Sequence, residues 1–425
     1  MMQHPVLERS GFSVCLGLER FSEFVHFAGS PALSIPSVQI AGTNGKGSVT
    51  KILGSILKDS GLKVGMYTSP HLSHINERIV INGVEISDED LDICLERVDE
   101  LAQLWSLQLD LNPNGQNTLT YFELLTAAAL FYFEQEKVDI ILWEVGLGGR
   151  LDATSVVSPL VSIIVSISFD HMNYLGRELA DIAMEKGGII KKETPVLTGD
   201  LPQEAHRVIR MIAMDLDAPL FRLGEHFHIS SSTPDVFSFR FDDLHYSDLE
   251  LSLLGAHQQK NAAIAITAAS FLKQHMEVDL SLVSSSLKKV VHEGRLEWVN
   301  NGSVLLDCAH NGDGAAQLVN FLNKAETLKK RVLLLGVSKD KDVHSIWVQL
   351  EGIFERILLF QSSHHRALAP EDILGKLSIE QSNDSRIVCL TDLNEVSNWV
   401  DFEREELVVA GSVFLVGEAR RFFRA

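Results

Sequence analysis

The chain has 425 residues, which at roughly 150 residues per domain predicts two or three domains. Its hydrophobic (45%) and charged (22%) fractions are those of a globular protein and exclude disorder, a collagen-like repeat and a disulfide scaffold. A net charge of −20 disfavours nucleic acid and anionic lipid as partners, and no signal peptide or apolar run of ~20 residues is recognised. A cytoplasmic protein without a zinc site is expected, because no CxxC pair is formed by Cys15, Cys94, Cys308 and Cys389.

The first part of the chain predicts strands and helices that alternate around a buried, mostly parallel sheet. Strands are predicted at 37–41, 64–67, 139–145 and 160–168, and helices from the first strand's turn to about 59, then at 88–105 and 120–134. Residues 225–254 alternate apolar and polar side chains, which predicts a small antiparallel ribbon, and two helices follow at 258–274 and 280–290.

A second α/β rhythm begins near residue 297. Its strands are predicted at 304–308, 332–335, 357–360, 387–390 and 407–410, with helical segments between them. We therefore predict a P-loop-type, mostly parallel sheet domain over 1–293, followed by a smaller, doubly wound, Rossmann-like domain with a parallel sheet over 294–425. Ligands usually bind in the cleft between two such layers.

A glycine-rich loop between the first strand and its helix predicts a nucleotide site. Its residues are Gly42, Thr43, Asn44, Gly45, Lys46, Gly47 and Ser48. Backbone N–H groups and the helix N-terminus attract phosphates, Lys46 reaches the β- and γ-phosphates, and Ser48 can contact the metal. The loop departs from the usual pattern, since Ile40 stands at its first position and Gly47 follows the lysine. The alternative is a tight turn that happens to be rich in glycine.

Several segments, in order along the chain, resemble the motifs of the folylpolyglutamate and dihydrofolate synthases, a family within the Mur ligase superfamily. After the glycine-rich loop, the resemblance is carried by Tyr67–Leu72, Glu144–Thr154, Phe169–Lys186, His257–Ala262, Gly294–Glu297, Asp307–Asn311 and Ala410–Gly417. Together these segments span residues 38 to 417 and are far more specific than any one of them. The resemblance implies an ATP-dependent ligase.

Glu144, Asp170 and His171 end predicted central strands, where a carboxylate can hold Mg²⁺ against phosphates. The alternatives are a turn cap for Glu144 and a packed or surface histidine for His171. The resemblance implies that Ser69, Glu144 and His171 coordinate Mg²⁺. It also implies that Lys186, carbamylated by CO₂, helps hold a second Mg²⁺. Otherwise Lys186 is a surface lysine paired with Glu185 or Glu178. Lys46, Lys186 and His171 are the expected catalytic residues.

The remaining candidates bind the substrates. The resemblance implies that His257, Asn261, Arg295 and Asp307 contact ATP, with helix capping as the alternative for the first two. It implies glutamate contacts for His310 and Ser412. Pterin contacts are implied by resemblance for Thr120, Phe122, Asp152 and Ala153, although spacing alone favours a helix-core role for Phe122.

Together with these residues, the resemblance implies a monomeric ligase that joins L-glutamate to dihydropteroate, to a reduced folyl(poly)glutamate, or to both, through an acyl phosphate. ATP is the co-substrate, and two Mg²⁺ ions and the carbamate are expected cofactors. One alternative is a peptidoglycan-type ligase. The Ser69-Pro70-His71-Leu72 motif disfavours it, and we expect no separate N-terminal nucleotide-sugar domain here. The other is a non-catalytic nucleotide-dependent switch.

Overall fold

The structure is a computed structural model that describes residues 4–10, 17–108, 119–231, 235–325 and 327–424. Cys15 lies outside the described residues. Within them, none of the helices has the length and apolar character needed to cross a membrane.

An eight-stranded sheet forms the centre of the first part of the chain. Its strands are Ser37–Ala41 (β1), Val64–Tyr67 (β2), Ile79–Ile81 (β3), Val84–Glu85 (β4), Ile140–Glu144 (β5), Val161–Ile164 (β6), Val196–Thr198 (β7) and Leu220–Arg222 (β8). Their spatial order is β4-β3-β2-β5-β1-β6-β7-β8, and within the described part of this sheet only the pairings β2–β3 and β3–β4 are antiparallel. The central strands β1 and β5 are buried along their whole length. This explains the largely apolar sequence of β5, whereas β1 also buries the polar side chains of Ser37 and Gln39.

Helices cover both faces of this sheet. They are Pro5–Ser10 (α1), Leu18–Phe27 (α2), Lys46–Asp59 (α3), Asp88–Gln108 (α4), Tyr121–Gln135 (α5), Met172–Leu175 (α6), Leu179–Gly187 (α7), Gln203–Asp215 (α8), Ala256–Leu272 (α9) and Val283–Leu287 (α10). Short 3₁₀ turns lie at Ile75–Arg78, Ala153–Val156 and Leu280–Leu282. Helices α3 and α9 pack together on one face, and α4 and α5 pack together against the other.

The predicted ribbon is a separate three-stranded antiparallel sheet. It consists of Phe227–Ser231 (β9), Val236–Phe241 (β10) and Leu244–Glu250 (β11). Phe237, Phe239 and Phe241 are buried in the core that includes α9, whereas Arg240 is exposed. The alternating pattern thus gives a sheet with one covered face.

The second part of the chain forms a six-stranded sheet in the order β12-β13-β17-β14-β15-β16. Its strands are Glu297–Val299 (β12), Val304–Leu306 (β13), Lys330–Leu335 (β14), Arg356–Phe360 (β15), Ile387–Leu390 (β16) and Glu405–Ala410 (β17). Its helices are Gly312–Lys324 (α11), Val343–Leu350 (α12), Pro370–Leu374 (α13), Ile379–Ser382 (α14) and Val413–Arg424 (α15), with 3₁₀ turns at Asn300–Gly302 and Leu393–Asn398. Hydrophobic clusters cover both faces, as a doubly wound sheet requires.

Several details differ from the sequence-based expectations, and two of them have a clear physical reason. The second sheet is mixed rather than parallel, because the unpredicted edge strand β12 pairs antiparallel with β13 across a short turn. The strand expected at 160–168 ends at Ile164, because the following residues bond the glycine-rich loop instead of a strand: Ser166 and Ser168 contact Asn44 and Thr43. The chain division at 293/294 stays a prediction; β12 begins at Glu297.

Candidate active site

The glycine-rich loop joins the carboxyl end of β1 to the start of α3. Gly45 caps the helix in a left-handed conformation (φ 85°), which only glycine adopts without strain. The Lys46 ammonium folds back and donates to the carbonyls of Gly42 (3.0 Å) and Thr43 (3.3 Å). The loop thus curls around the lysine and leaves the helix N-terminus facing the cleft.

Glu144, at the end of β5, lies beside this loop. Its Oε2 accepts from the backbone N–H of Ser69 at 3.2 Å. Burial raises the pKa of Glu144, and the Lys46 charge opposes that shift. Burial likewise lowers the pKa of Lys46, against the attraction of Glu144 and Asp170. The two groups therefore support each other's charged forms in a poorly hydrated place.

A cavity of about 160 Å³ between the two sheets collects most of the predicted site residues. The first part of the chain lines it with the loop 42–48 and with Ser69, Glu144, His171, Lys186, His257 and Asn261; the second part adds Arg295, Asp307 and His310. Ser412, Thr120, Phe122, Asp152 and Ala153 do not line it. The structure thus brings together the residues predicted for nucleotide and metal, and leaves the pterin candidates outside.

The donors around Glu144 fit Mg²⁺. Carboxylate and hydroxyl oxygens are the hard ligands that this ion prefers, and Glu144, Ser69 and Ser48 supply them along one wall of the cavity. Among the described residues, no three His, Cys, Asp or Glu side chains converge into a metal site. Such a sparse set suits Mg²⁺, which takes one or two carboxylates and completes its shell with phosphate oxygens and water.

His171 is held by charged groups of the second domain rather than being free to meet a metal. The Lys341 ammonium lies 3.1 Å from its Nε2 and 2.6 Å from Oδ1 of Asp170. Nδ1 of His171 lies 3.6 Å from Oδ2 of Asp340. Burial and the Lys341 charge lower the pKa of His171 to about 4. In this arrangement Nε2 of His171, a residue predicted to bind Mg²⁺, accepts from a lysine.

Asp170 is the centre of the contacts between the two domains. Its Oδ2 accepts from Asn311 Nδ2 at 3.1 Å and lies 3.5 Å from His310 Nε2. Burial opposes ionisation of Asp170, but His310 and Lys341 outweigh it and hold its pKa below the usual range.

The glycine-rich loop itself is also held from the second domain. Asn44 and Asn311 exchange hydrogen bonds through both amide groups, at 3.1 and 3.0 Å. Asn44 Nδ2 also donates to Asp313 at 2.8 Å. Three side chains of the first domain, Asn44, Asp170 and His171, are therefore tied to the second.

Lys186 is 4% exposed and faces the same cavity. Burial, followed by repulsion from Lys46, lowers its pKa to about 7. The surface pairing considered for it does not occur, because Glu185 binds Arg150 at 2.7 Å and Lys186 is buried. Gly187, which follows it, leaves room for Ile212 of α8, since an added Cβ would lie 2.4 Å from that side chain. This close packing keeps Lys186 on a regular helical turn.

The candidate nucleotide contacts of the second domain are partly used by the protein itself. Asp307 accepts from the backbone N–H groups of Leu296 and Ala309, both at 2.9 Å. Arg295 donates to the carbonyl of Gly294 at 3.2 Å. Both side chains still line the cavity.

The other candidates of the junction and the second domain lie at the edges of the site. Asn261 Nδ2 donates to Gln258 Oε1 at 2.9 Å. Its Oδ1 packs against the glycine-rich loop, because a Cβ added to Gly45 would lie 2.8 Å from it. His257 lines the cavity, and burial lowers its pKa to about 4. His310 Nδ1 contacts the Cys308 carbonyl at 2.8 Å, so its Nε2 faces Asp170. Ser412 is buried, 3.4 Å from the Ser338 hydroxyl.

Phe122, one of the pterin candidates, packs against Gly146, which lines the cavity. The Phe122 ring fills the space over this glycine, where a Cβ would lie 2.6 Å from the ring. Thr120 caps α5. Asp152 accepts from Leu147 and Thr154 with its two oxygens, and Ala153 is buried. The contacts described thus give Thr120 and Asp152 local structural roles.

Sequence reasoning missed Lys341, Asn311 as a contact to the loop, and His292. Lys341 follows β14, and the rule that polar residues after parallel strands gather at one edge could have identified it. His292 lies outside every segment from which the site was predicted. Its Nδ1 lies 3.1 Å from the Ser48 hydroxyl.

Comparison with known proteins accounts for this arrangement. The Mur ligase middle domain family matches residues 40–269, and the Mur ligase glutamate ligase domain matches residues 294–413. The chain is 35% identical to the dihydrofolate synthase/folylpolyglutamate synthase of Bacillus subtilis, over 97% of this chain and 96% of that protein.

Solved structures are similar over almost the whole chain. Mycobacterium tuberculosis folylpolyglutamate synthase complexed with ADP superposes with a TM-score of 0.90 at 31% identity, covering 99% of this chain and 97% of that one. E. coli FolC in complex with DHPP and ADP gives 0.86 at 27% identity, covering 98% and 95%. The chain therefore belongs to the dihydrofolate synthase/folylpolyglutamate synthase family of the Mur ligases.

Proposed function

We propose that the protein joins L-glutamate to dihydropteroate and to reduced folyl(poly)glutamates, with ATP converted to ADP and phosphate. One observation carries the proposal. The glycine-rich loop with Lys46, the carboxylate of Glu144 and the buried Lys186 face Arg295, Asp307 and His310 across a single cavity. The relatives support it, since the M. tuberculosis structure holds ADP and the E. coli structure holds DHPP and ADP.

In the first step, the carboxylate of the acceptor attacks the γ-phosphorus of ATP, forming an acyl phosphate and releasing ADP. Such a transfer needs alignment and neutralisation of charge more than covalent help from the protein. Lys46, the loop N–H groups and the start of α3 supply positive charge at the transferring group. Mg²⁺ held by Ser69 and Glu144 would neutralise further charge on the phosphate oxygens.

In the second step, the amine of glutamate attacks the acyl carbon and phosphate leaves from the tetrahedral intermediate. We assign His310 and Ser412 to the incoming glutamate. His310 belongs to the second domain, which also contacts Asp170 of the first domain through His310 and Asn311. Closure of the two domains around the cavity excludes water, which would otherwise hydrolyse the acyl phosphate.

We also propose that Lys186 is carbamylated and that, with His171, it helps hold a second Mg²⁺. Carbamylation requires an uncharged amine, which attacks CO₂ and releases one proton. A pKa near 7 leaves a substantial uncharged fraction at neutral pH, whereas an ordinary lysine has almost none. The carbamate would turn a buried cation into a pair of oxygen ligands. His171 would then exchange its contact with Lys341 for the metal.

We assign the pterin end to Thr120, Phe122, Asp152 and Ala153. Phe122 packs against Gly146, which lines the cavity, so a pteroyl carboxylate could reach the phosphates while the ring lies beside Phe122. The scattered cysteines favour a reducing cytoplasm, where we propose that the enzyme acts as a monomer.

The deciding experiment measures ADP release with dihydropteroate, tetrahydrofolate or a UDP-muramoyl acceptor, each with and without L-glutamate. We expect glutamate-dependent ADP release with the first two acceptors only. Release with the muramoyl acceptor would favour a peptidoglycan-type ligase, and ADP release that needs neither acceptor nor glutamate would favour a nucleotide switch. Activity with tetrahydrofolate alone would restrict the protein to folylpolyglutamate synthesis.

A further inference from the structure

We propose that His292 is a positioning residue for the glycine-rich loop. It accepts a hydrogen bond from the Ser48 hydroxyl and so orients the oxygen lone pairs of Ser48 towards the phosphates and their cation. The inference rests on the proposed binding of Mg²⁺·ATP by this loop. His292 lies in the segment that links the two sheets, between α10 and β12, far from the loop in sequence.

The first observation is a direct side-chain contact. His292 Nδ1 lies 3.1 Å from the Ser48 hydroxyl, and this is the hydrogen bond that the structure gives to the Ser48 side chain. Ser48 is 2% exposed, so its hydroxyl has little access to solvent as a substitute partner. A buried hydroxyl without a partner costs free energy, which makes the orientation of Ser48 depend on the imidazole.

The second observation is independent and concerns Gly47. A Cβ built on Gly47 would lie 3.0 Å from Cε1 and 3.2 Å from Nε2 of His292, and 3.4 Å from Oε2 of Glu144. The imidazole therefore lies directly against the loop backbone, close to the carboxylate assigned to Mg²⁺. This contact explains why a glycine follows Lys46, a feature that phosphate binding alone does not require.

The chemistry follows from the inventory of a serine hydroxyl, which has one proton and two lone pairs. In the tautomer that carries its proton on Nε2, His292 accepts at Nδ1 from the hydroxyl. The lone pairs of Ser48 are then directed away from the ring, and a proton no longer competes with a cation for the oxygen. A hydroxyl free to rotate would present its proton there part of the time.

Calorimetric titration with ADP, once with Mg²⁺ and once with EDTA, tests this role. His292→Phe keeps an aromatic ring but removes the acceptor, and should weaken Mg²⁺·ADP binding by about two- to tenfold, the contribution of an ordinary hydrogen bond. Binding of metal-free ADP should not change. His292→Asn, with an acceptor near the position of Nδ1, should restore most of the affinity. His245→Phe, on exposed β11, is the matched control.

A double-mutant cycle separates positioning from packing. In a Ser48→Ala background, His292→Phe should have no further effect on Mg²⁺·ADP binding, because the group being oriented is gone. Additive losses, equal losses with and without Mg²⁺, or wild-type affinity of His292→Phe would each overturn the positioning role. If the wild type itself bound ADP no better with Mg²⁺, the positioning role would be overturned because no cation binds beside Ser48, whereas the proposed function is decided separately by glutamate-dependent ADP release.

Discussion

Replacing Lys186 by methionine should stabilise the folded protein at neutral pH, at the expense of activity. Lys186 is 4% exposed, and the structure gives its ammonium no hydrogen bond or ion pair among the described residues. Burial without a partner disfavours the charged form and lowers its pKa from 10.5 to about 7. Methionine has a similar length and no charge to desolvate.

The magnitude follows from linkage between protonation and folding. Below pH 7 the lysine carries its proton in both states, and the whole cost of burying it is present. Between pH 7 and 10.5 the unfolded chain binds more protons than the folded chain, so the free energy of unfolding rises with pH. The advantage of Lys186→Met should be on the order of 4 kcal/mol at pH 7 and about 1 kcal/mol at pH 9.5.

The assay is urea denaturation of both proteins across this pH range, in buffers free of CO₂ and divalent cations. Lys192→Met, at a 71% exposed side chain of the following loop, is the matched control and should show no such pH-dependent gain. If Lys186→Met and wild type kept a constant difference from pH 7 to 9.5, Lys186 would not be a buried, discharged lysine. The argument for its carbamylation would then lose its physical basis.

Three further outcomes are expected. Lys46→Ala should fold normally and lose orders of magnitude in glutamate-dependent ADP release, since a charge aimed at the transferring phosphate is removed. Lys58→Ala on the same helix is the control and should release ADP at a nearly normal rate. Wild-type turnover of Lys46→Ala would contradict the loop assignment. Lys186→Arg should be almost inactive, and wild-type activity should fall on CO₂ removal and return with bicarbonate; retained activity and no bicarbonate response would remove the carbamate. Gly417→Ala should lower the free energy of unfolding by about 1–3 kcal/mol in thermal denaturation, because its Cβ would lie 2.0 Å from the Leu72 carbonyl of the other domain; an equal effect of Gly352→Ala, where the space is open, would argue against this.

Much of the first domain could be predicted because its pattern is local. Continuous apolar runs identify β5 and β6, and the carboxyl ends of parallel strands share one edge, which brings the loop, Glu144 and His171 together. The short strands β3 and β4 were missed, since two or three residues carry no recognisable period.

The contacts across the cleft were beyond sequence reasoning. No local pattern tells how one domain is placed against another, so the pairing of Lys341 with Asp170, and of Asn311 with Asn44, could not be anticipated. The same holds for His292, whose partner Ser48 is 244 residues away. The placement of the pterin candidates likewise depends on tertiary packing around Gly146.

The paired amides of Asn44 and Asn311 bear on the kinetics of turnover. The loop assigned to the phosphates is gripped from the opposite domain by two reciprocal hydrogen bonds, so the domains cannot part without pulling on that loop. If the loop binds the nucleotide as proposed, both departure of ADP and entry of the next ATP would require these two hydrogen bonds to break. The rate of such an opening step would depend on solvent viscosity and on the length of the segment between α10 and β12. It would not depend on the reactivity of the acceptor carboxylate.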